Sequence, residues 1–351
     1  MKRCKKSKKS AKFAFRLNKT YNMNHYCIIL AGGCGQRLWP VSTFERPKQF
    51  LDLFGTGRTL LQQTYDRIVK FIPNENIIVS TIDVYVPLVR EQLPQLPENN
   101  IFVEDVKLST GPAVASAALK LSQRDEDASV LVTPADHLIL NEDAFCAQMG
   151  SAMEKVENSQ RFFALGATAT QPNTTYGYIQ KGDTVIFGLY KVKAFIEKPD
   201  LEYAEMFVES DEFLWNTGLF VWRLQTMLPL ARDIMDEVSA KSIDSILLER
   251  HAENVLVEEC HFGWSDVGSW SQLQKLSHRD VDGNALVIDN NEVMLEGCAN
   301  NIIALKDGYN AIIKDMKNYL VALNEGMLLI CPKDSVDSRK LIAKWEAVLR
   351  K

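Results

Sequence analysis

The sequence predicts an α/β protein built on a mixed, mainly parallel sheet, with a small all-β unit and a closing helix after it. Three observations predict this. First, short apolar runs alternate with helix-period segments from Tyr26 to His137. Strand–helix alternation with short loops gives parallel strands covered by helices on both faces. Second, the first apolar run ends in Gly32-Gly33-Cys34-Gly35. Three glycines in four residues let backbone N–H groups turn inward toward a ligand. Third, from Asn284 onward, short β-like runs follow one another, punctuated by Gly, Asn and Asp every 8–10 residues, a pattern of strands without helices.

Taken in order, Tyr26–Ala31 reads as a buried strand. Thr59 caps a helix over Leu60–Phe71, whose apolar positions Leu60, Leu61, Tyr65, Ile68 and Val69 recur at helical spacing, and Pro73-Asn74 stops it. Ile77–Val79 is a strand, Val84–Leu93 a helix ended by Pro94, and Ile101–Val103 a strand. Leu108–Pro112 is a loop, Ala113–Ser122 an alanine-rich helix, and Val130–Val132 a strand that runs into Thr133-Pro134-Ala135-Asp136-His137. Ligands of such sheets sit beyond the carboxyl ends of the strands. The glycine turn, the 109–112 loop and Asp136 all fall there. After Asp136 a helix, Asp143–Val156, leads to strand-like runs that carry isolated polar residues: Phe162–Leu165, Thr175–Ile179, Ala194–Pro199 and Leu214–Phe220. The closing runs are Ala285–Ile288, Glu292–Leu295, Asn301–Leu305, Ala311–Ile313, Tyr319–Ala322 and Met327–Ile330, then an amphipathic helix over Val336–Leu349. Their spacing is too loose for a true internal repeat. Three segments result: a basic head over 1–23, a main domain over 24–283 and a β-rich domain over 284–351.

Composition narrows the class. The chain has 351 residues, 46% hydrophobic and 24% charged, which is ordinary for a globular protein. No apolar run reaches the roughly 18 residues of a membrane helix. Nine Lys and Arg fall within residues 1–22 with no acid, so the net −5 divides into +9 and −14. An acidic body argues against a nucleic-acid partner. The head lacks the apolar core of a signal peptide; it reads as a dispensable tail, with Met23 as an alternative start. Seven cysteines without C-x-x-C or regular spacing point to a reducing compartment, the cytoplasm, and to neither zinc nor a disulfide framework.

A strand, a glycine turn and the cations Arg37 and Lys48 form a phosphate-handling device. It is not a P-loop, because no Lys-Ser or Lys-Thr follows the glycines. It is not a dinucleotide fingerprint either: the third glycine position holds Leu38, and Pro40 stops a helix. What stands here is Gly32-Gly33-x-Gly35-x-Arg37-Leu38-Trp39-Pro40, followed by Pro47-Lys48-Gln49-Phe50. This pair of blocks resembles the sugar-1-phosphate nucleotidylyltransferases, in the version found in mannose-1-phosphate guanylyltransferases. Further blocks carry the resemblance along the chain: Tyr176-Gly177-Tyr178-Ile179, Phe195-Ile196-Glu197-Lys198-Pro199, Trp215-Asn216-Thr217-Gly218-Leu219-Phe220 and Trp264-Ser265-Asp266-Val267-Gly268-Ser269-Trp270.

The resemblance implies a Rossmann-like catalytic domain of the nucleotide-diphospho-sugar transferase type, a β-helix-like appendage that supports a homodimer, and the substrates GTP and mannose 1-phosphate. It implies that Leu30, Ala31, Gly32, Gly33 and Gly35 bind the nucleotide, with Arg37 on its β and γ phosphates. Ser109, Gly111 and Pro112 shape the guanine pocket. Lys48 bridges the α-phosphate and the sugar phosphate, and Asp136 and Asp266 share one Mg²⁺. Glu197 and Asn216 take mannose hydroxyls, Lys198 the sugar's phosphate, and Gly177 lets the backbone approach the sugar. Read alone, Asp136 is a turn or cap residue, Glu197–Lys198 a strand-end ion pair and Asn216–Gly218 a turn. The family often has Ser-Arg after Trp-Pro, whereas Ser42 here precedes Thr43-Phe44, so that arginine's role is absent or falls to Arg46. Longer relatives carry a cupin-type isomerase domain, which is not expected here. Two other readings stay open: another NTP and hexose 1-phosphate pair, or a catalytically silent sensor, against which Arg37, Lys48 and Asp136 all stand.

Overall fold

The computed structural model describes residues 24–104, 109–236, 241–288, 292–306, 308–335 and 338–349. The basic segment 1–22 and Leu108 therefore lie outside the described residues. The first half alternates as predicted: β1 (His25–Leu30), α1 (Leu60–Ile68), β2 (Ile77–Thr81), α2 (Val86–Gln92), β3 (Ile101–Val103), α3 (Thr110–Ser122) and β4 (Ser129–Pro134). Thr59 and Gln62 close a reciprocal capping box on α1, a motif in which the cap alone contributes about 1 kcal/mol. Helix α1 ends three residues before the predicted Phe71. Helix α2 starts later than predicted, after a 3₁₀ turn over Asp83–Tyr85, with Pro87 in its first turn.

Next come β5 (Leu138–Ile139), α4 (Glu142–Glu157), β6 (Phe162–Thr168), β7 (Gly177–Ile186), β8 (Leu189–Glu197), α5 (Leu201–Glu209), β9 (Phe213–Arg223), α6 (Leu224–Asp236), α7 (Ile243–Arg250), β10 (Val255–Cys260), β11 (Trp264–Ser265) and α8 (Trp270–Leu276). Nine strands form one sheet in the order β3-β2-β1-β4-β9-β6-β10-β8-β7. Strands β1 to β4 pair in parallel, as do β6 and β10. Strand β9 runs antiparallel to β4, β6 and β7, and β8 antiparallel to β7 and β10. The sheet is therefore mixed, with its parallel half where the strand–helix rhythm is regular. Alternation along β1 sends Cys27 and Ile29 into a core shared with α1 and α4, and Ile28 into a second core shared with α3, α6 and α7. The chain order reverses between β1 and β4, and ligands of such sheets bind at that switch point.

The last region holds β12 (Ala285–Ile288), β13 (Val293–Glu296), β14 (Ile302–Leu305), β15 (Ala311–Lys314), β16 (Tyr319–Asn324), β17 (Met327–Pro332) and α9 (Ser338–Leu349). Here the structure shows a repeat that the sequence spacing is too loose to claim. Strands β12, β14 and β16 stack in parallel with Ala285 on Ile302 and Ile302 on Leu320, and β13 stacks on β15 with Val293 on Ala311. Each coil thus takes 17 or 18 residues by these pairings. Corners recur at left-handed Gly283, Asn300 and Asn318. Inside, Asn301 donates to Asn284 Oδ1 and to the Met316 carbonyl, and accepts from the Tyr319 N–H. The coil packs Val287, Ile302, Ala304, Leu320 and Ala322 against Leu38, Val41, Leu53, Val267 and Trp270. It therefore underlies the segments that carry Arg37, Lys48 and Asp266. Among the described residues no helix is long and apolar enough to cross a membrane.

Candidate active site

The loops after β1 and β4 meet at the switch point. After Leu30 the chain runs through the glycine turn into a 3₁₀ turn at Gln36–Leu38, and Gly35 holds φ +56°. A Cβ there would stand 2.7 Å from Ser42 Oγ and 2.9 Å from the Lys48 backbone nitrogen, so both conformation and contact demand glycine. The Gln49 amide donates to the carbonyls of Ala31 (3.0 Å) and Gly33 (2.6 Å). It thereby clamps the glycine turn to the Pro-Lys-Gln-Phe block.

Lys48 is the centre. Its side chain is 7% exposed, and its ammonium lies 2.9 Å from Asp136 Oδ2. It also donates to the carbonyls of Asp266 (2.7 Å) and Val267 (3.4 Å). The Asp136 carboxylate and the Asp266 backbone carbonyl are thus gathered round one nitrogen. Arg37 closes the cluster, with Nη2 3.6 Å from Asp266 Oδ2. Burial works to raise the Asp136 pKa, but Lys48, His137 and Arg37 outweigh it and hold the carboxyl below its ordinary range. It stays ionised.

A two-stranded ladder explains why these aspartates meet. Strand β5 begins two residues after Asp136, β11 ends one residue before Asp266, and they pair antiparallel with Leu138 on Ser265 and Ile139 on Trp264. Burial pushes the His137 imidazole down to about 4. Its Nδ1 accepts from the Trp264 indole at 3.1 Å, with the rings edge-on. Asp266 Oδ1 accepts from the Tyr176 hydroxyl (2.8 Å) and the Gly268 N–H (3.1 Å), and Tyr176 also meets the Gln272 amide. Burial and the adjacent Asp266 carboxylate push the Tyr176 pKa up.

The predicted sugar residues form a second group. Gly177 pairs with Glu197 across β7 and β8, and a Cβ at Gly177 would lie 2.8 Å from Glu197 Oε2. This glycine therefore makes room for its own neighbour. Lys198, at φ +48°, turns its ammonium onto Glu197. Asn216 donates to Asp244 Oδ1 at 2.6 Å and accepts from the Gly218 N–H at 3.2 Å. The two groups share a border at Gly218, where a Cβ would lie 3.5 Å from Pro134, 3.9 Å from His137 and 3.9 Å from Asp244. The third predicted group opens α3. Ser109 precedes its first turn, and the Gly111 N–H donates to the Lys241 carbonyl at 3.2 Å. Ile246 packs so closely on Gly111 that a Cβ would come within 2.8 Å.

Two residues escape the sequence reading. Asp244 sits among the residues predicted to hold the sugar, but in the chain it looks like an ordinary first-turn helix acid. Glu104 follows β3, and its Oε1 lies 2.7 Å from where a Gly32 Cβ would stand. Only its position at a strand's carboxyl end could have marked it.

Comparison with known proteins bears on this arrangement. A family model described as nucleotidyl transferase matches residues 26–283. A mannose-1-phosphate guanylyltransferase of Escherichia coli K12 is 33% identical over 359 residues, covering 92% of this chain and 73% of the relative. One from Salmonella muenchen is 31% identical, covering 91% and 72%. A solved structure from Thermus thermophilus, described as a mannose-1-phosphate geranyltransferase, superposes with a TM-score of 0.80 at 26% identity, over 92% of this chain and all of that one.

Proposed function

The chain belongs to the nucleotidyl transferase family, and from that premise we propose that it joins GTP and α-mannose 1-phosphate into GDP-mannose and diphosphate. The observation that carries this reading is the Lys48 ammonium held between the Asp136 carboxylate and the Asp266 backbone carbonyl beside the glycine turn. The names of the relatives support the substrates.

Nucleotidyl transfer brings two anions into line while charge builds on departing diphosphate. The nucleophile is a phosphate oxygen, already ionised near neutral pH, so no general base is required. Catalysis rests on positioning and charge neutralisation. In this reading the amides of the 30–35 segment hold the triphosphate. Arg37 swings from Asp266 onto the β and γ phosphates, and Lys48 spans the α-phosphate and the incoming sugar phosphate. Glu197, Asn216 and Lys198 hold the sugar phosphate, and Ser109–Pro112 line the base. The donor set suits Mg²⁺: Asp136 and Asp266 offer hard carboxylate oxygens, one against Lys48 and the other against Arg37, and Asp136 is held ionised. Bound there, Mg²⁺ would neutralise phosphate charge.

Glu104 supports guanine. A carboxylate beside a phosphate turn repels phosphate, whereas guanine's N1–H and exocyclic N2–H₂ offer adjacent donors to an acceptor-only group. Adenine and pyrimidine edges lack that pair. The main domain at 24–283 and the β-rich domain at 284–351 belong to the same reading, supported by the span of the family match. So do a cytoplasmic location and a homodimer, the latter supported by exposed Leu328 and Ile330 on β17. The deciding experiment is diphosphate release with each NTP paired with mannose, glucose, N-acetylglucosamine and fucose 1-phosphates. Turnover with dTTP and glucose 1-phosphate, but none with GTP and mannose 1-phosphate, overturns the proposal.

A further inference from the structure

Asn216 is asked to bind a sugar hydroxyl, yet half of its amide is already committed. One Nδ2–H goes to Asp244 Oδ1 at 2.6 Å, and Oδ1 accepts from the Gly218 N–H at 3.2 Å. An amide has two N–H donors and one carbonyl oxygen, so a single N–H and one lone pair remain. Which way these point is a choice between two orientations related by a flip. Asp244 Oδ1 accepts at one end of the amide and the Gly218 N–H, which can only donate, meets the other, so both partners admit the orientation that turns N–H toward Asp244.

The placement of Asp244 argues that this is its task. It lies in the first turn of α7, but Ser242 already caps that helix through the Ser245 N–H. Its Oδ1 faces the space that Gly218 leaves open, on the border with Pro134 and His137. Electrostatically it belongs with the sugar group. Burial raises its pKa and Glu197 adds to that, while the Asn216 N–H and Lys198 oppose them.

We propose that Asp244 is a positioning residue that fixes the orientation of the Asn216 amide between the sugar group and the Asp136 loop, and thereby sets which hexose 1-phosphate is accepted. The proposal rests on the reading that Asn216 and Glu197 hold the sugar. A flipped Asn216 would present an acceptor where a donor stood, and a site built to hydrogen-bond one hydroxyl pattern discriminates against another when its own groups are left unpaired.

The test compares wild type, Asp244→Asn and Asp244→Ala with mannose, glucose and N-acetylglucosamine 1-phosphates at saturating GTP. The KM for GTP and the melting temperature are measured alongside. Asp244→Ala should lose about 10–100-fold in kcat/KM for the preferred sugar phosphate, mostly through KM, the scale of one hydrogen bond to a charged group. Its preference between the C2 epimers mannose and glucose should narrow about tenfold, with the KM for GTP within about twofold of wild type. Asp244→Asn keeps an acceptor oxygen at the same reach and should stay within about threefold of wild type. If Asp244→Ala does not fold, Asp244→Ser, too short to reach Asn216, carries the same expectation. An unchanged epimer preference in the variant lacking the carboxylate overturns the proposal, whether activity is kept or falls evenly. So does Asp244→Asn losing as much as Asp244→Ala. The ratio is read on whichever sugar phosphate the wild type prefers, so a preference other than mannose would refute the assigned substrate and still decide the role of Asp244.

Discussion

Replacing Lys48 with Met tests the centre of the site, because it removes the charged end and keeps an unbranched stem of nearly the same length. Two losses follow, and they separate. The first is folding stability. Breaking a buried ion pair from one side costs about 3–5 kcal/mol, since the remaining charge stays desolvated. Lys48 is 7% exposed at its side chain and Asp136 27%, so water reaches the carboxylate and the lower end, about 3 kcal/mol, is expected. The sign with pH follows from the lowered Asp136 pKa. Its contribution is present above the ordinary carboxylate range and is lost as pH falls through the folded-state value, so the variant's deficit should be largest near neutrality and shrink in acid. The second loss is catalytic: one preorganised charge is worth about 10²–10³ in kcat. Adding Asp136→Asn to Lys48→Met leaves neither charge and should restore much of the stability while restoring no activity. Urea denaturation gives the first quantity and diphosphate release the second. A folded Lys48→Met enzyme with near-wild-type kcat refutes the catalytic argument. A double variant as unstable as the single one refutes the electrostatic argument.

Glu104→Gln should lower kcat/KM for GTP about 10–100-fold, the worth of a hydrogen bond to a charged acceptor, and leave a poor substrate such as ATP unchanged; competing GTP against ATP reads the ratio directly. A chain ending at residue 283 should fail to fold. It strips Val287, Ile302 and Leu320 from Leu38, Val41 and Trp270, at about 1.5–3 kcal/mol per buried side chain, against a total stability of about 5–15 kcal/mol; a soluble, cooperatively melting fragment would contradict this. Chelating divalent cations should weaken GTP binding at least about tenfold in calorimetry, because each carboxylate the nucleotide strips of its cation then stays unpaired; equal affinity with and without Mg²⁺ would show that Asp136 and Asp266 do not share a cation.

How much the sequence reveals depends on how local each signal is. The glycine turn, Arg37, Lys48 and Asp136 are legible because each stands at the end of an apolar run or inside a dense local block. Asp244 and Glu104 are not, because each is a single acid whose meaning comes from a partner far along the chain: Asn216 for one, Gly32 for the other. Strands β5 and β11 have two residues each and show no period, yet they set Asp136 opposite Asp266. The coil escapes a sequence reading for another reason. Its repeat lies in left-handed corners at 283, 300 and 318 and in inward asparagines, and a reading based on apolar periodicity passes over both.

The placement of the coil and of the small ladder follows from the charges they hold. Arg37, Lys48, Asp136 and Asp266 sum to zero, and each cation lies against a carboxylate. Four charged groups kept this close lose much of their hydration, so the loops bearing them need support that the pairs themselves supply weakly. That support comes from apolar packing of the coil beneath Leu38 and Val267 and from backbone pairing of β5 with β11, neither of which depends on the state of the charges. Under the proposed function, a nucleotide that drew Arg37 and Lys48 away would change the partners of the charges without loosening the loops that carry them. The cluster would then exchange its ion pairs for substrate contacts while its geometry stays fixed, which is what charge neutralisation by preorganised groups requires.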